Sequence, residues 1–158
     1  MQLLTRFNLG DEVFSANTAW QKYHVTCEEC NGTGIVKIAT AKESYDSPCP
    51  YCDRDIFSDK SNGFLVKYKF QPLVQRLTIG EIRIEHSHEK NRVQYMCKET
   101  GIGSGTLHDE ERFFETLERA QQHAEALSKA AQLDRDTQDT KNEKRKRQNV
   151  RANKKRGV

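Results

Sequence analysis

The sequence predicts a mixed α+β fold, in which a small antiparallel β-barrel or curled sheet is followed by one C-terminal helix. Apolar and polar residues alternate with period two in several segments, which is typical of half-buried strands. Two closely spaced cysteine pairs interrupt these segments, and apolar residues recur at helical spacing after Thr116. A chain of 158 residues with 35% hydrophobic residues is expected to hold one domain with appendages and a thin core.

The first strand is predicted over residues 11–26, because Val13 and Phe14 follow the turn residues Gly10 and Asp11 and an aromatic, β-branched stretch leads into the first cysteine. A short strand is predicted over residues 35–39. Residues 40–48 are polar and end in Ser-Pro, so a loop is predicted there.

Residues 66–71 alternate strictly between apolar and polar side chains and predict a half-buried strand. Pro72 is expected to break or bend it, because proline cannot donate to a β ladder. A bulge or bend is predicted at Gly80. Residues 92–98 form the predicted return strand, and Cys97 lies on its apolar face as a small core residue.

Thr116 is a plausible N-cap for the helix, and Asp109 is an alternative start. The apolar stripe of this helix is narrow and consists of Leu117, Ala120, Ala124, Leu127 and Ala131. From residue 134 onward the chain is almost wholly polar and free of proline as far as its end. The helix can therefore continue into this tail, or the tail is disordered and becomes helical on binding.

Two C-x-x-C pairs, Cys27 with Cys30 and Cys49 with Cys52, are separated by eighteen residues. This spacing is typical of a tetrahedral Cys₄ zinc site, since each pair offers two thiolates from one tight turn. Four cysteines fill the tetrahedron and leave no position for water or substrate, which favours one structural Zn²⁺ over a catalytic metal. A redox dithiol is the alternative, but two matched pairs fit one metal better.

Residues 27–34, with the pattern C-x-x-C-x-G-x-G, resemble the zinc knuckle in the cysteine-rich region of DnaJ co-chaperones. The resemblance covers residues 27–52 and implies the metal, its coordination and a ribbon shape. The second pair lacks the glycines of the pattern, and the chain lacks the His-Pro-Asp tripeptide of a J-domain. Co-chaperone activity is therefore not implied. Single knuckles of this kind are also similar to those of small phage and bacterial proteins of unassigned function.

The C-terminal tail is strongly basic. Residues 141–156 have a net charge of +8, which leaves −5 for the rest of a chain whose net charge is +3. Such a density of positive charge is typical of segments that bind phosphate backbones. The candidate nucleic-acid contacts are the nine basic residues of this stretch: Lys141, Lys144, Arg145, Lys146, Arg147, Arg151, Lys154, Lys155 and Arg156.

The predicted organisation has three parts. Residues 1–26 and 58–133 form the β-barrel with its helix, residues 27–57 form an inserted zinc ribbon, and residues 134–158 form the basic tail. No apolar run is long enough for a membrane span, and residues 1–8 lack the apolar core of a signal peptide. The cysteine content without an export signal predicts a reducing, cytoplasmic compartment, or the nucleus in a eukaryote.

The leading functional hypothesis is a non-enzymatic zinc-ribbon protein that binds RNA or DNA largely through its tail. The alternative is an adaptor or inhibitor of a cellular complex, which would contact a protein partner through the ribbon and the acidic domain surface. An enzyme is the third class, because no grouping of nucleophile, base and acid and no small-molecule site is recognisable in the sequence.

Overall fold

The computed structural model describes residues 4–53, 60–86, 91–103 and 105–155, the last four of these by their backbone alone. Within these ranges seven strands precede one helix. The elements in chain order are β1 (Glu12–Thr26), β2 (Ile35–Ala39), β3 (Ser44–Pro48), β4 (Phe64–His86), β5 (Asn91–Cys97), β6 (Leu107–Asp109), β7 (Phe113–Phe114) and α1 (Leu117–Lys155).

The mixed α+β fold class is confirmed, and of the two predicted sheet forms the curled sheet fits. Five strands lie in the order β6-β5-β4-β1-β7, and β2 and β3 form a separate two-stranded sheet. The pairs β1–β7, β2–β3, β4–β5 and β5–β6 are antiparallel. In the described residues β6 and β7 remain the two edges of the larger sheet, so the barrel does not close.

The chain divides into two compact units. Unit 1 comprises Met1–Ala19 and Phe70–Ala130, and unit 2 comprises Trp20–Lys69 and Ala131–Val158. The core of unit 1 is formed by seven buried side chains from its strands and N-terminal segment: Phe7, Val13, Leu77, Ile79, Tyr95, Cys97 and Phe113. The predicted placement of Cys97 in the core is therefore correct.

Tyr95 is the largest fully buried side chain of unit 1. Its hydroxyl donates to Glu110 Oε1 at 2.5 Å and accepts from the Phe7 backbone N–H at 3.4 Å. Its ring packs edge-on against Phe7, with centroids 5.9 Å apart. The hydroxyl is thus satisfied inside the core, as a buried polar group must be.

The helix begins as predicted. Thr116 Oγ1 accepts a hydrogen bond from the Arg119 N–H at 3.4 Å, the contact expected of an N-cap. Ala120 and Ala124 are fully buried and pack with Ala16 in a second cluster of unit 1. Small side chains at these positions suit the close approach of a helix to a strand.

The predicted loop was wrong for residues 44–48, and of the two effects predicted at Pro72 the break does not occur. Residues 44–48 form β3, which pairs with β2 from Ile35↔Pro48 to Ala39↔Ser44 instead of forming a loop. Pro72 does not end its strand, because β4 is continuous from Phe64 to His86. β5 pairs with β4 only from Ile79 onward, so the missing N–H of Pro72 interrupts no bond of that ladder. The register shift between Ile79 and Glu81 confirms the bulge at Gly80.

Candidate metal centre and basic helix face

The four cysteines of the two pairs converge in unit 2. Their sulfur atoms all lie within 4.8 Å of one another. Cys27 Sγ is 3.9 Å from Cys49 Sγ, and Cys30 Sγ is 3.4 Å from Cys52 Sγ. All four side chains are buried. The cluster can coordinate one zinc ion in the all-sulfur set typical of structural sites, which is consistent with a single structural zinc.

The first knuckle is shaped by a close approach of its backbone to the start of β4. The Gly34 N–H donates to Cys30 Sγ at 3.3 Å, a contact that spreads the negative charge of a thiolate. Gly34 has φ +73°, and a Cβ there would lie 2.2 Å from the Ser61 carbonyl oxygen. Only glycine fits this position without a shift of the backbone.

A second close backbone approach at the metal site involves Gly63, which lies eleven residues after Cys52. Gly63 has φ +81°, and a Cβ there would lie 2.1 Å from the carbonyl oxygen of Gly32. Its own carbonyl accepts from the Cys27 N–H at 2.9 Å. The sequence shows Asn62-Gly63 only as a turn signal, and its contact with the first knuckle is a feature that sequence reasoning missed. Gly63 therefore packs the segment that leads into β4 against the first knuckle.

Burial and hydrogen bonding have opposite effects on the pKa of the Cys30 thiol. Burial alone would raise the pKa of Cys30, but hydrogen bonds from Cys52 and the Gly34 N–H outweigh it and lower this pKa to about 7. Burial raises the pKa of Cys49 and of Cys52 above the usual range. Metal binding therefore has to displace protons from the cluster, as at any thiolate site.

Cys97 lies outside this cluster, in the core of unit 1. Burial, with a smaller contribution from Glu99, raises its pKa to about 11. A thiol that stays protonated is a poor ligand and a poor nucleophile. This agrees with its predicted structural role.

The tail is helical, because α1 continues to Lys155. The residues of α1 that contact β4 in unit 2 are Arg135, Asp139 and Glu143, which are spaced four residues apart and so lie on one side of the helix. Lys67 of β4 pairs with Glu143 at 3.1 Å and with Asp139 at 3.5 Å. The Arg135 guanidinium lies 4.4 Å from the centroid of the Tyr68 ring. These contacts attach the helix to β4 within unit 2.

The predicted nucleic-acid contacts fall into three groups. Lys146 Nζ lies 3.1 Å from the Tyr51 carbonyl oxygen and 3.6 Å from Asp53 Oδ1, so it contributes to the helix attachment. The side chains of Lys154 and Lys155, and all of Arg156, lie outside the described residues. The remaining five cations are exposed and have no ion pair within the described part of the chain: Lys141, Lys144, Arg145, Arg147 and Arg151.

Four of these cations form one row. Lys141, Lys144, Arg147 and Arg151 follow one another at spacings of three, three and four residues, which places them on one face of an α-helix. The row extends over roughly 15 Å at 1.5 Å per residue. Arg145 lies beside it, one turn after Lys141. We call these five residues the basic face.

The cysteine cluster suggests that the chain is a zinc-binding protein. Comparison with models of protein families, with curated proteins and with solved structures found no match. No family match supports the resemblance to the DnaJ-type knuckle, and the cysteine cluster itself is consistent with a zinc ribbon-like site. Among the described residues no helix has the length and apolar character needed to cross a membrane.

Proposed function

We propose that this chain is a non-enzymatic zinc protein that binds nucleic acid through the basic face of α1. The observation that carries the proposal is the row of four exposed cations at helical spacing, which have no carboxylate partner among the described residues. A linear array of cations that are not neutralised by the protein is suited to a phosphate backbone, because each phosphate contact releases condensed counterions.

The distribution of charge around the helix supports this role. The carboxylates of Asp139 and Glu143 contact Lys67, and Asp53 contacts Lys146. These three carboxylates are thus engaged with lysines, and no carboxylate among the described residues forms an ion pair with the basic face. In this proposal the zinc ion is structural. It would hold the turn that contains Tyr51, whose carbonyl oxygen accepts a hydrogen bond from Lys146 of the helix.

Deleting residues 141–158 is a poor test, because Glu143 and Lys146 also attach the helix to unit 2. A sharper variant changes Lys141, Lys144, Arg147 and Arg151 to glutamine, which removes four charges and retains helix propensity. The matched control removes four exposed lysine charges elsewhere in the chain, at Lys37, Lys42, Lys98 and Lys129.

Binding to duplex DNA and to structured RNA is measured over a series of salt concentrations. A plot of log affinity against log salt has a negative slope. In the basic-face variant the magnitude of this slope is expected to be smaller by about 3 to 4, since each neutralised phosphate contributes roughly 0.7 to 0.9. The control is expected to retain most of its slope. Equal slopes in the two variants, or no binding by the intact chain at low salt, would contradict the proposal and favour a protein partner.

A further inference from the structure

The unit 2 parts of β1 and β4 carry an exposed aromatic surface. Trp20, Lys22 and His24 alternate along β1 and so share one face, as do Phe64, Val66 and Tyr68 along β4. β1 and β4 are neighbours in the sheet. Ring centroids are 5.6 Å apart for Trp20 and Tyr68, and 6.1 Å apart for His24 and Phe64, so the two sets lie on the same side. We call this six-residue surface the aromatic face.

Three of its four rings are open to solvent. Trp20 is 63% exposed and Phe64 is 41% exposed. Exposed apolar side chains that are grouped on neighbouring strands mark a surface that contacts a partner. Arg135 of the helix covers part of Tyr68, with its guanidinium 4.4 Å from the ring centroid. The open rings of the aromatic face are therefore Trp20, His24 and Phe64. Lys67, which alternation places on the other face of β4, pairs with Asp139 and Glu143 of the helix.

Positive charge adjoins these rings. Lys22 lies between Trp20 and His24 on the aromatic face. A groove of about 590 Å³ is lined by Lys22 and Tyr68 together with Arg145 and Asn149 of α1. The groove also contains carboxylates, but Asp139 and Glu143 pair with Lys67, and Asp53 accepts from the Val66 N–H at 2.6 Å. Lys22 and Arg145 have no such partner within the described residues.

We propose that the aromatic face stacks the bases of a single-stranded polynucleotide, while Lys22 and Arg145 contact its phosphates. Bases in a duplex are stacked on one another and cannot reach a sheet surface, whereas unpaired bases stack readily on exposed aromatic rings. Stacking is tolerant of sequence because every base has a π face, so little base preference is expected. This inference rests on the proposed nucleic-acid function and adds the form of nucleic acid that is bound.

Trp20 is the only tryptophan of the chain, so its fluorescence reports directly on the aromatic face. The zinc-loaded, full-length chain is titrated with oligo(U), oligo(dT) and a duplex, each of about 12 nucleotides per strand, within the range of known single-strand sites. Both single strands are expected to quench the fluorescence and the duplex to leave it unchanged. Stronger binding of oligo(U) than of oligo(dT) would identify RNA as the preferred form.

Substitutions then separate stacking from burial and from charge. Trp20→Ala is expected to weaken single-strand binding about tenfold or more, as expected for one lost stacking contact, and to leave duplex binding unchanged. Trp20→Phe is expected to restore most of the affinity, and Trp20→Leu, which keeps apolar area without a π face, little of it. Tyr45→Ala removes an aromatic ring of similar exposure, 48%, from the β2–β3 hairpin and serves as the control.

The outcomes distinguish this inference from the proposal on which it rests. Equal effects of Trp20→Ala and Tyr45→Ala, or full rescue by leucine, would overturn base stacking. If salt-dependent duplex binding through the basic face persisted, the proposed function would still stand. Failure of the intact chain to bind any of the three probes at low salt would overturn both.

Discussion

Replacing Gly63 with alanine is expected to weaken zinc binding by about two orders of magnitude. A Cβ at this position would lie 2.1 Å from the carbonyl oxygen of Gly32 and 2.5 Å from its carbonyl carbon. Both are backbone atoms of the first knuckle, so neither can rotate away as the end of a flexible side chain would. The segment that carries Gly63 would have to move away from the first knuckle.

The magnitude follows from two costs. Placing a non-glycine residue in the left-handed region costs roughly 1–2 kcal/mol, and forcing extra volume into a packed site adds roughly 1–3 kcal/mol. The cysteines bind the metal only while these turns are folded, so the free energy of zinc binding becomes less favourable by the same amount. A loss of about 3 kcal/mol corresponds to a roughly hundredfold weaker affinity for zinc.

Competition with a chromophoric zinc chelator measures this change. Gly10→Ala is the matched control, because Gly10 has φ +87° but no atom within 4 Å of its ideal Cβ and lies in unit 1. It bears the strain of the left-handed backbone without the collision, and its zinc affinity is expected to stay at the wild-type level. Equal zinc affinities of the two variants would refute the view that the Gly32–Gly63 approach holds the site together.

Two further predictions concern the metal content and the core. Protein purified without chelator is expected to contain about one equivalent of zinc by elemental analysis. Cys27→Ser/Cys49→Ser should lose it and Cys97→Ala should keep it; zinc retained by the double variant would contradict the assignment. Burial, then the hydrogen bond to Glu110, raise the pKa of Tyr95 to about 12, above the value of about 10 in an unfolded chain. The folded chain therefore holds this proton more tightly, and the free energy of unfolding is expected to fall as pH rises from about 10 to about 12. Tyr95→Phe should flatten that decline in denaturant titrations, and an equally steep decline in the variant would refute this role.

The metal cluster could be predicted from the sequence because its pattern is local. Two cysteines three positions apart share one turn, and the chemistry of the thiolate leaves few alternatives to a metal. The helix start at Thr116 could be predicted for the same reason, since an N-cap contacts a backbone N–H only three residues away. Gly63 shows the limit of such reasoning. Its function depends on a contact with Gly32, which the sequence presents only as part of a different turn.

The strands show the same division between local and distant causes. The alternation in β4 is visible in the sequence, but the start of β5 pairing at Ile79, beyond Pro72, is not. β3 was missed because Ser44-Tyr45-Asp46-Ser47-Pro48 has no apolar alternation and forms a strand by pairing with β2. The exposure of Trp20 was equally hidden, because alternation shows that a strand has two faces but does not show which face the rest of the chain will cover.

The close contact between the first knuckle and the segment before β4 also affects how this protein can vary during evolution. At Gly34 and Gly63 the space for a side chain is already occupied by backbone, so almost any mutation there damages the metal site. The basic face requires only positive charge at helical spacing, and lysine and arginine can exchange or shift by one turn without loss of that property. Related chains are therefore expected to retain these glycines unchanged while their basic residues drift along the helix, so an alignment that weighted the cations alone would miss the relationship.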